Sequence, residues 1–207
     1  ALLAGFFFSL DLGFWHRSIF YTGAGMATIL GNTQVFATSV FAWLIFKERL
    51  TFRFIVAAVT AIFGVSLLVG LWSSDIVFSS QYVIGVILGI STGIWYACFI
   101  LSLKAAAQLA EQPDPISFMA WASLLTAVFL GIGCSFESQP SVPPDFSTLA
   151  CLIGVAVVAQ AVGWRFISGT LSHVRASHAA LILLLQPTLA TFWGMFLFGE
   201  SLTLLQW

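Results

Sequence analysis

The sequence predicts an all-α integral membrane protein, a multi-helix bundle built from two inverted-topology repeats, and three observations predict it. Hydrophobic residues make up 60% of the 207 and charged residues only 7%, where a soluble domain carries about 25% charged residues. The apolar residues fall into long stretches of membrane-spanning length. A segment near the start of the chain also returns near its end, five spans later. With a mean hydropathy of +1.04 the chain has too much apolar surface to stay disordered and too few polar residues to cover it in water, so its solvent is the lipid bilayer. Seven Lys and Arg against eight Asp and Glu leave a net charge of -1. That is too little basic surface to neutralise a run of phosphates, and nucleic acid is excluded as a partner. Cys98, Cys134 and Cys151 form an odd set with no CxxC or Cys/His spacing. Neither a disulfide scaffold nor a zinc site is indicated, and the three read as small buried hydrophobes.

A hydrocarbon core about 30 Å thick takes roughly 20 helical residues at 1.5 Å each. Spans are expected at about 2–20, 25–46, 53–72, 82–104, 116–136, 147–170 and 177–198. The breaks between them carry turn chemistry: Lys47-Glu48-Arg49, Ser73-Ser74-Asp75, Gln112-Pro113-Asp114-Pro115, Pro140 to Asp145, and His173-Val174-Arg175. Barrel strands would alternate over about ten residues, and these runs are apolar on every side. Ala1 is not Met, no charged region precedes the first apolar run, and Leu204-Leu205-Gln206-Trp207 begins another. The chain is therefore expected to be part of a longer protein.

Cytoplasmic loops retain Lys and Arg. Lys47, Arg49 and Arg53 follow span two, Lys104 ends span four and Arg175 follows span six, so all share one side, which is expected to be cytoplasmic. The other side has only Arg17, with Asp75, Glu137, Asp145 and Glu200. The segment from Ala24 to Thr51 slides onto Ala176 to Thr203 with an offset of 152 (200 − 48). Gln34 then meets Gln186, Phe46 meets Phe198, Glu48 meets Glu200, and Leu50-Thr51 meets Leu202-Thr203. The copies are spans two and seven, an odd step of five (7 − 2), so they cross in opposite directions. This is the inverted repeat of secondary transporters, whose substrate sites lie near the midplane.

Phe46-Lys47-Glu48-Arg49-Leu50-Thr51, Asp11 through Ile19, Ala27 through Asn32, and Leu184-Leu185-Gln186-Pro187 with Gly199-Glu200 resemble EamA-type members of the drug/metabolite transporter superfamily over nearly the whole chain. The resemblance implies ten helices in the full protein, in two five-helix halves, and export or import of small metabolites such as amino acids. Residues 1–72 would then be the C-terminal part of the first repeat, with three transmembrane helices. Residues 73–207 would be the second repeat, with four helices and the start of a fifth. Many relatives have proline where Val35 stands, whereas Pro187 retains it, which argues against a kink in the first half. The implied location is a bacterial inner membrane, crossed several times.

Charges at a helix centre cost roughly 2.5–3.5 kcal/mol on insertion scales and usually face the bundle interior. Asp11 sits at the estimated midplane of span one, with His16 about five residues further out. Gln34, Gln160 and Gln186 lie within about one turn of their midplanes and with Asp11 make a polar layer. Asn32 is about 200° round the helix from Gln34, so one of the two is expected to pack against another helix. Trp15, Trp95, Tyr96 and Trp164 lie too deep for an interfacial belt and suit the walls of an amphipathic metabolite's cavity. Asp11, Trp15, His16, Asn32, Gln34, Trp95, Tyr96, Gln160, Trp164 and Gln186 are therefore the candidate substrate-binding residues. Asp11 also makes protons a candidate co-substrate.

Gly89-Ile90-Ser91-Thr92-Gly93 fits a nucleophile elbow in letters only, because the elbow needs a strand-to-helix turn. Gly85, Gly89 and Gly93 recur every fourth residue, which lets a second helix backbone approach. No phosphate loop or metal motif is present in the sequence. No cofactor is implied, nor an enzyme. A secondary transporter working by alternating access is favoured over an intramembrane enzyme using Ser91 and over a receptor or structural membrane protein. Substrate identity, direction and oligomeric state are not legible in the sequence.

Overall fold

The computed structural model of the chain describes residues 1–68, 79–108, 114–136, 145–171 and 173–199. Every regular element among these residues is a helix. They are α1 (Leu2–Thr22), α2 (Ala24–Asn32), α3 (Gln34–Phe46), α4 (Phe52–Leu68), α5 (Ser80–Ala107), α6 (Pro115–Cys134) and α7 (Phe146–Val155). A π-helical segment follows (Ala156–Gly163), then α8 (Trp164–Leu171), α9 (Ala176–Leu183) and α10 (Leu185–Phe198). Joined end to end where only a break separates them, these elements reproduce the expected spans. Five rods, Ala24–Phe46, Ser80–Ala107, Ile116–Cys134, Phe146–Leu171 and Ala176–Leu197, are long and apolar enough to cross a membrane. Such a set makes this a multi-pass membrane protein. The expected turn at Ser73 to Asp75, most of that from Pro140 to Asp145, and Glu200 lie outside the described residues. Cys134 and Cys151 are exposed, not buried as expected, because both are on helix faces with no neighbour over them.

Helix ends follow local chemistry. Asp114 and Asp145 are N-caps of α6 and α7, accepting from the Ser117 N–H at 2.9 Å and the Thr148 N–H at 2.7 Å. These backbone bonds hold both carboxyls below the usual aspartate range. Pro115 supplies the first residue of α6, where its missing N–H costs nothing. Lys47 ends α3 in the left-handed region, φ 55°, and folds the chain back so that the Glu48 N–H reaches the Ala42 carbonyl. At the corresponding position of the second copy stands Gly199, φ 66°.

The chain divides into two compact units. The first joins Ala1–Ser9 with Phe99–Val174. There Phe8 stacks on Phe99 at 4.4 Å between ring centroids, and Trp164 meets both edge-on. Thr126 Oγ1 donates to the Gly5 carbonyl at 3.1 Å, and Lys104 Nζ donates to the Val174 carbonyl at 2.7 Å. The second unit joins Leu10–Cys98 with the residues from Arg175 onward. Its core is Val35, Phe54, Ala58, Ala180 and Leu184, from α3, α4, α9 and the break that follows α9.

The glycine stripe of α5 packs as its spacing requires. A Cβ at Gly85 would lie 2.6 Å from Thr22 and Tyr21, and one at Gly89 would lie 2.8 Å from Leu30 and Ser18. At Gly93 it would lie 2.9 Å from the Gln34 nitrogen and 3.2 Å from the Gly31 carbonyl. Only glycine admits this approach.

The span that lacks the proline is interrupted all the same. The second span breaks at Thr33, whose N–H donates to Leu30 at 3.1 Å, one residue short of the helical partner Ile29. Thr33 Oγ1 bonds the same carbonyl, a back-bond that bends helices without proline. The seventh span breaks likewise at Leu184, whose N–H donates to Leu181 and not to Ala180. Gly93→Ala is expected to lower stability by about 1–3 kcal/mol through overpacking against backbone. Gly64→Ala, with nothing within 4 Å, should be near neutral. Thermal unfolding in detergent checks the contrast.

Candidate functional site

Within the second unit, α1 and α5 cross beside the Thr33 break. Asp11 is 6% exposed, a carboxyl group inside an apolar bundle. Thr92 Oγ1 donates to the Asp11 carbonyl at 3.4 Å, which fixes the crossing. The Tyr96 phenol, one turn along α5, lies within electrostatic reach of the Asp11 carboxyl. A Cβ at Gly31 would lie 3.5 Å from Thr92 and 3.8 Å from the Trp15 indole. The fold thus brings Trp15 of α1 and Thr92 of α5 together at the end of α2, with Asp11 one turn before Trp15. Asn32 is at that same end, and its Nδ2 is buried without a hydrogen-bond partner. An amide donor left unmatched away from water costs about 1–3 kcal/mol.

Gln34 has a different task. It is 4% exposed, its Nε2 donates to the Ala180 carbonyl at 3.5 Å, and its Oε1 accepts from Thr38 at 3.4 Å. Ala180 is the carbonyl that the Leu184 break bypasses. The glutamine of the first copy therefore takes up an acceptor left over by the kink of the second, and Gln34 is the member of the Asn32/Gln34 pair that packs against another helix.

His16 is exposed, its Nδ1 held by its own helix at the Leu12 carbonyl, 2.7 Å, and its ring edge-on to Trp15 at 5.1 Å. Trp95 is half-buried on α5. Gln186 is exposed on α10. In the first unit, Trp164 is 7% exposed inside the Phe8–Phe99 cluster, which is ordinary packing. Gln160 lies in the π segment, and its Oε1 is buried without a partner. Such π segments recur at functional sites, and nothing in the sequence announced this one. Ser91 Oγ donates to the Ile87 carbonyl of its own helix at 2.8 Å, as a helix-surface serine does. A groove of about 500 Å³ between α4 and α9–α10, lined by Ala57, Ala61, Gly64, Leu181, Leu185 and Thr188 among others, is almost wholly apolar and offers a polar metabolite little.

Sequence reasoning missed Glu48, which it used only to mark the repeat. The left-handed turn at Lys47 sends this carboxylate, 8% exposed, to the start of α9. Its Oε1 accepts from the Ala176 N–H at 2.9 Å, and its Oε2 accepts from the Ser177 hydroxyl at 2.8 Å and N–H at 3.4 Å. Glu48 caps a helix 128 residues away, and the α9 N-terminus carries the positive end of its dipole toward it. With Gln34 at one end of α9 and Glu48 at the other, α3 and α9 lie antiparallel, as an inverted repeat demands.

A family profile described as the EamA-like transporter family matches residues 1–70 and 83–207. A probable amino-acid metabolite efflux pump of Salmonella typhimurium is 25% identical over 191 residues, which is 88% of this chain and 62% of the relative. A pump of the same name from Escherichia coli K12 gives the same figures. An uncharacterized transporter, YwfM, of Bacillus subtilis is 26% identical over 192 residues, 90% of this chain and 60% of its own. The chain thus spans about 62% of the length of these pumps. One protein of known crystal structure superposes with a TM-score of 0.83 at 15% identity, covering 99% of this chain and 68% of that one, which shows a shared fold.

Gln34→Leu is expected to cost about 1–2 kcal/mol by stranding the Ala180 carbonyl. Asn32→Leu, which removes an unmatched donor, should cost clearly less. Paired unfolding midpoints in detergent measure the difference.

Proposed function

The chain belongs to the EamA-like transporter family, and from that premise we propose that it carries a small amino-acid-like metabolite across the membrane by alternating access, as a secondary transporter. A multi-pass helical protein of bacterial kin resides in the inner membrane, since proteins spanning the outer membrane are barrels. What supports the reading is the buried Asp11 on α1, whose backbone is bonded by Thr92 of α5, with Trp15 and Thr92 both reaching the end of α2, where the Asn32 amide is buried without a partner. An amphipathic zwitterion needs such a set: an acid or proton site, a free hydrogen-bond donor for its carboxylate, and aromatic faces for its side chain. The relatives named as amino-acid metabolite efflux pumps support the substrate class and an outward direction. The positive-inside bias puts Lys47 and Arg175 on the cytoplasmic side.

Asp11 carries the coupling proton in this reading. In this reading an ion or solute gradient supplies the work. Reconstituted into liposomes, the protein should exchange labelled amino acids well above protein-free vesicles. Asp11→Asn should abolish accumulation driven by a proton gradient while keeping downhill exchange. Loss of both would assign Asp11 to the substrate ammonium, and unchanged accumulation would remove it from the mechanism.

A further inference from the structure

Serine and threonine in a helix commonly turn the hydroxyl back on the carbonyl one turn earlier, as Thr28, Ser39 and Ser91 do here. Thr92 of α5 does otherwise. Its Oγ1 crosses to α1 and donates to the main-chain carbonyl of Asp11 at 3.4 Å. Both residues are buried, Thr92 at 4% exposure and Asp11 at 6%. The other branch of the same side chain, its methyl, meets the end of α2, where a Cβ at Gly31 would lie 3.5 Å from it.

Gly93, the next residue, lies against the break itself, where a Cβ would come 2.9 Å from the Gln34 nitrogen and 3.2 Å from the Gly31 carbonyl. Two consecutive residues of α5 thus touch the acid-bearing stretch of α1 and the interruption between α2 and α3. Neither α2 nor α3 carries a titratable side chain. Within two turns of the contact, α5 adds Tyr96 and Cys98, and α1 adds His16 and Arg17. A proton gained or lost at Asp11 alters one side chain, and it moves a carrier only if the change reaches an element able to take two arrangements. The broken span is the irregular element beside this acid, and Thr92 is in contact with both.

We propose that Thr92 is a positioning residue for Asp11: its hydroxyl fixes the α1 backbone at the acid and so holds Asp11 in register with the Thr33 break. The inference rests on the transporter reading for the use made of the proton. Because the bond goes to the main chain of Asp11, Asp11→Asn leaves it intact, and the two residues can be varied independently.

Thr92→Val keeps the side-chain shape and removes the donor, whereas Thr92→Ser keeps the donor. In proteoliposomes, Thr92→Val should lower amino-acid accumulation driven by a proton gradient about fivefold, the ratio that one neutral hydrogen bond is worth, and leave downhill exchange unchanged. Thr92→Ser should restore accumulation. Ser91→Ala, which removes a neighbouring hydroxyl held by its own helix, should alter neither. A reading that needs no substrate comes from the infrared carbonyl band of the protonated carboxyl, assigned by its loss in Asp11→Asn. That band should shift in Thr92→Val and return to its place in Thr92→Ser. Accumulation and band both unmoved by Thr92→Val would overturn the proposal, as would equal losses of accumulation and downhill exchange, the mark of a helix merely loosened. A band that shifts and returns in a protein without amino-acid flux would keep Thr92 in its role and remove the carrier, and flux with an unmoved band would remove Thr92 alone.

Discussion

Lipid offers no hydrogen bonds, so any backbone group freed by a broken helix has to find its partner within the protein. The two interrupted spans of the second unit are organised by that requirement. At Thr33 the side chain hydroxyl turns back on the Leu30 carbonyl. At Leu184 the bypassed Ala180 carbonyl is met by Gln34 from the opposite copy. At Ala176 the orphan N–H groups of a new helix are met by Glu48 from the same copy as Gln34. The break at Leu184 and the start of α9 are thus met by residues of the other copy, and these two contacts fix α3 against α9.

Close packing follows from the same economy. Helices in lipid gain nothing by hiding apolar surface from one another and attract mainly through short-range contact. The Gly85, Gly89 and Gly93 stripe lets α5 touch the backbone of α1 and of the α2–α3 break. Gly93 lies against the Thr33 kink itself, so the bend and the flat surface that accommodates it are matched. Small residues on the α3–α9 side, Thr38, Ser39, Ala42, Ala176 and Ala180, are all buried and permit an equally close approach.

The spans, their order and their inverted pairing were legible because each depends on a property written along the chain: apolar length, charge bias, and polar residues recurring at fixed register. Asp11 and Asn32 were legible as rare polar residues at depth. The Thr33 kink was not, because proline is the only strong kink signal in a sequence and a threonine back-bond looks like any other threonine. Trp164 shows the converse: a deep tryptophan reads alike in sequence whatever it touches, and its packing on Phe8 and Phe99 is visible only in the structure. Glu48 was legible as half of a repeat pair, yet its task depends on a partner 128 residues away, a distance over which no local pattern speaks.

That distance bears on how the chain is made. Helices α6 and α7 bring their own caps, Asp114 and Asp145, three residues from the N–H groups they serve. Each can leave the insertion machinery with its cap already in place. The N-terminus of α9 cannot, because its acceptor was synthesised more than a hundred residues earlier and lies in the turn that follows α3. The late helix is completed only when the early one is waiting in place, which makes assembly in the bilayer sequential and ties the quality of the second repeat to the prior folding of the first.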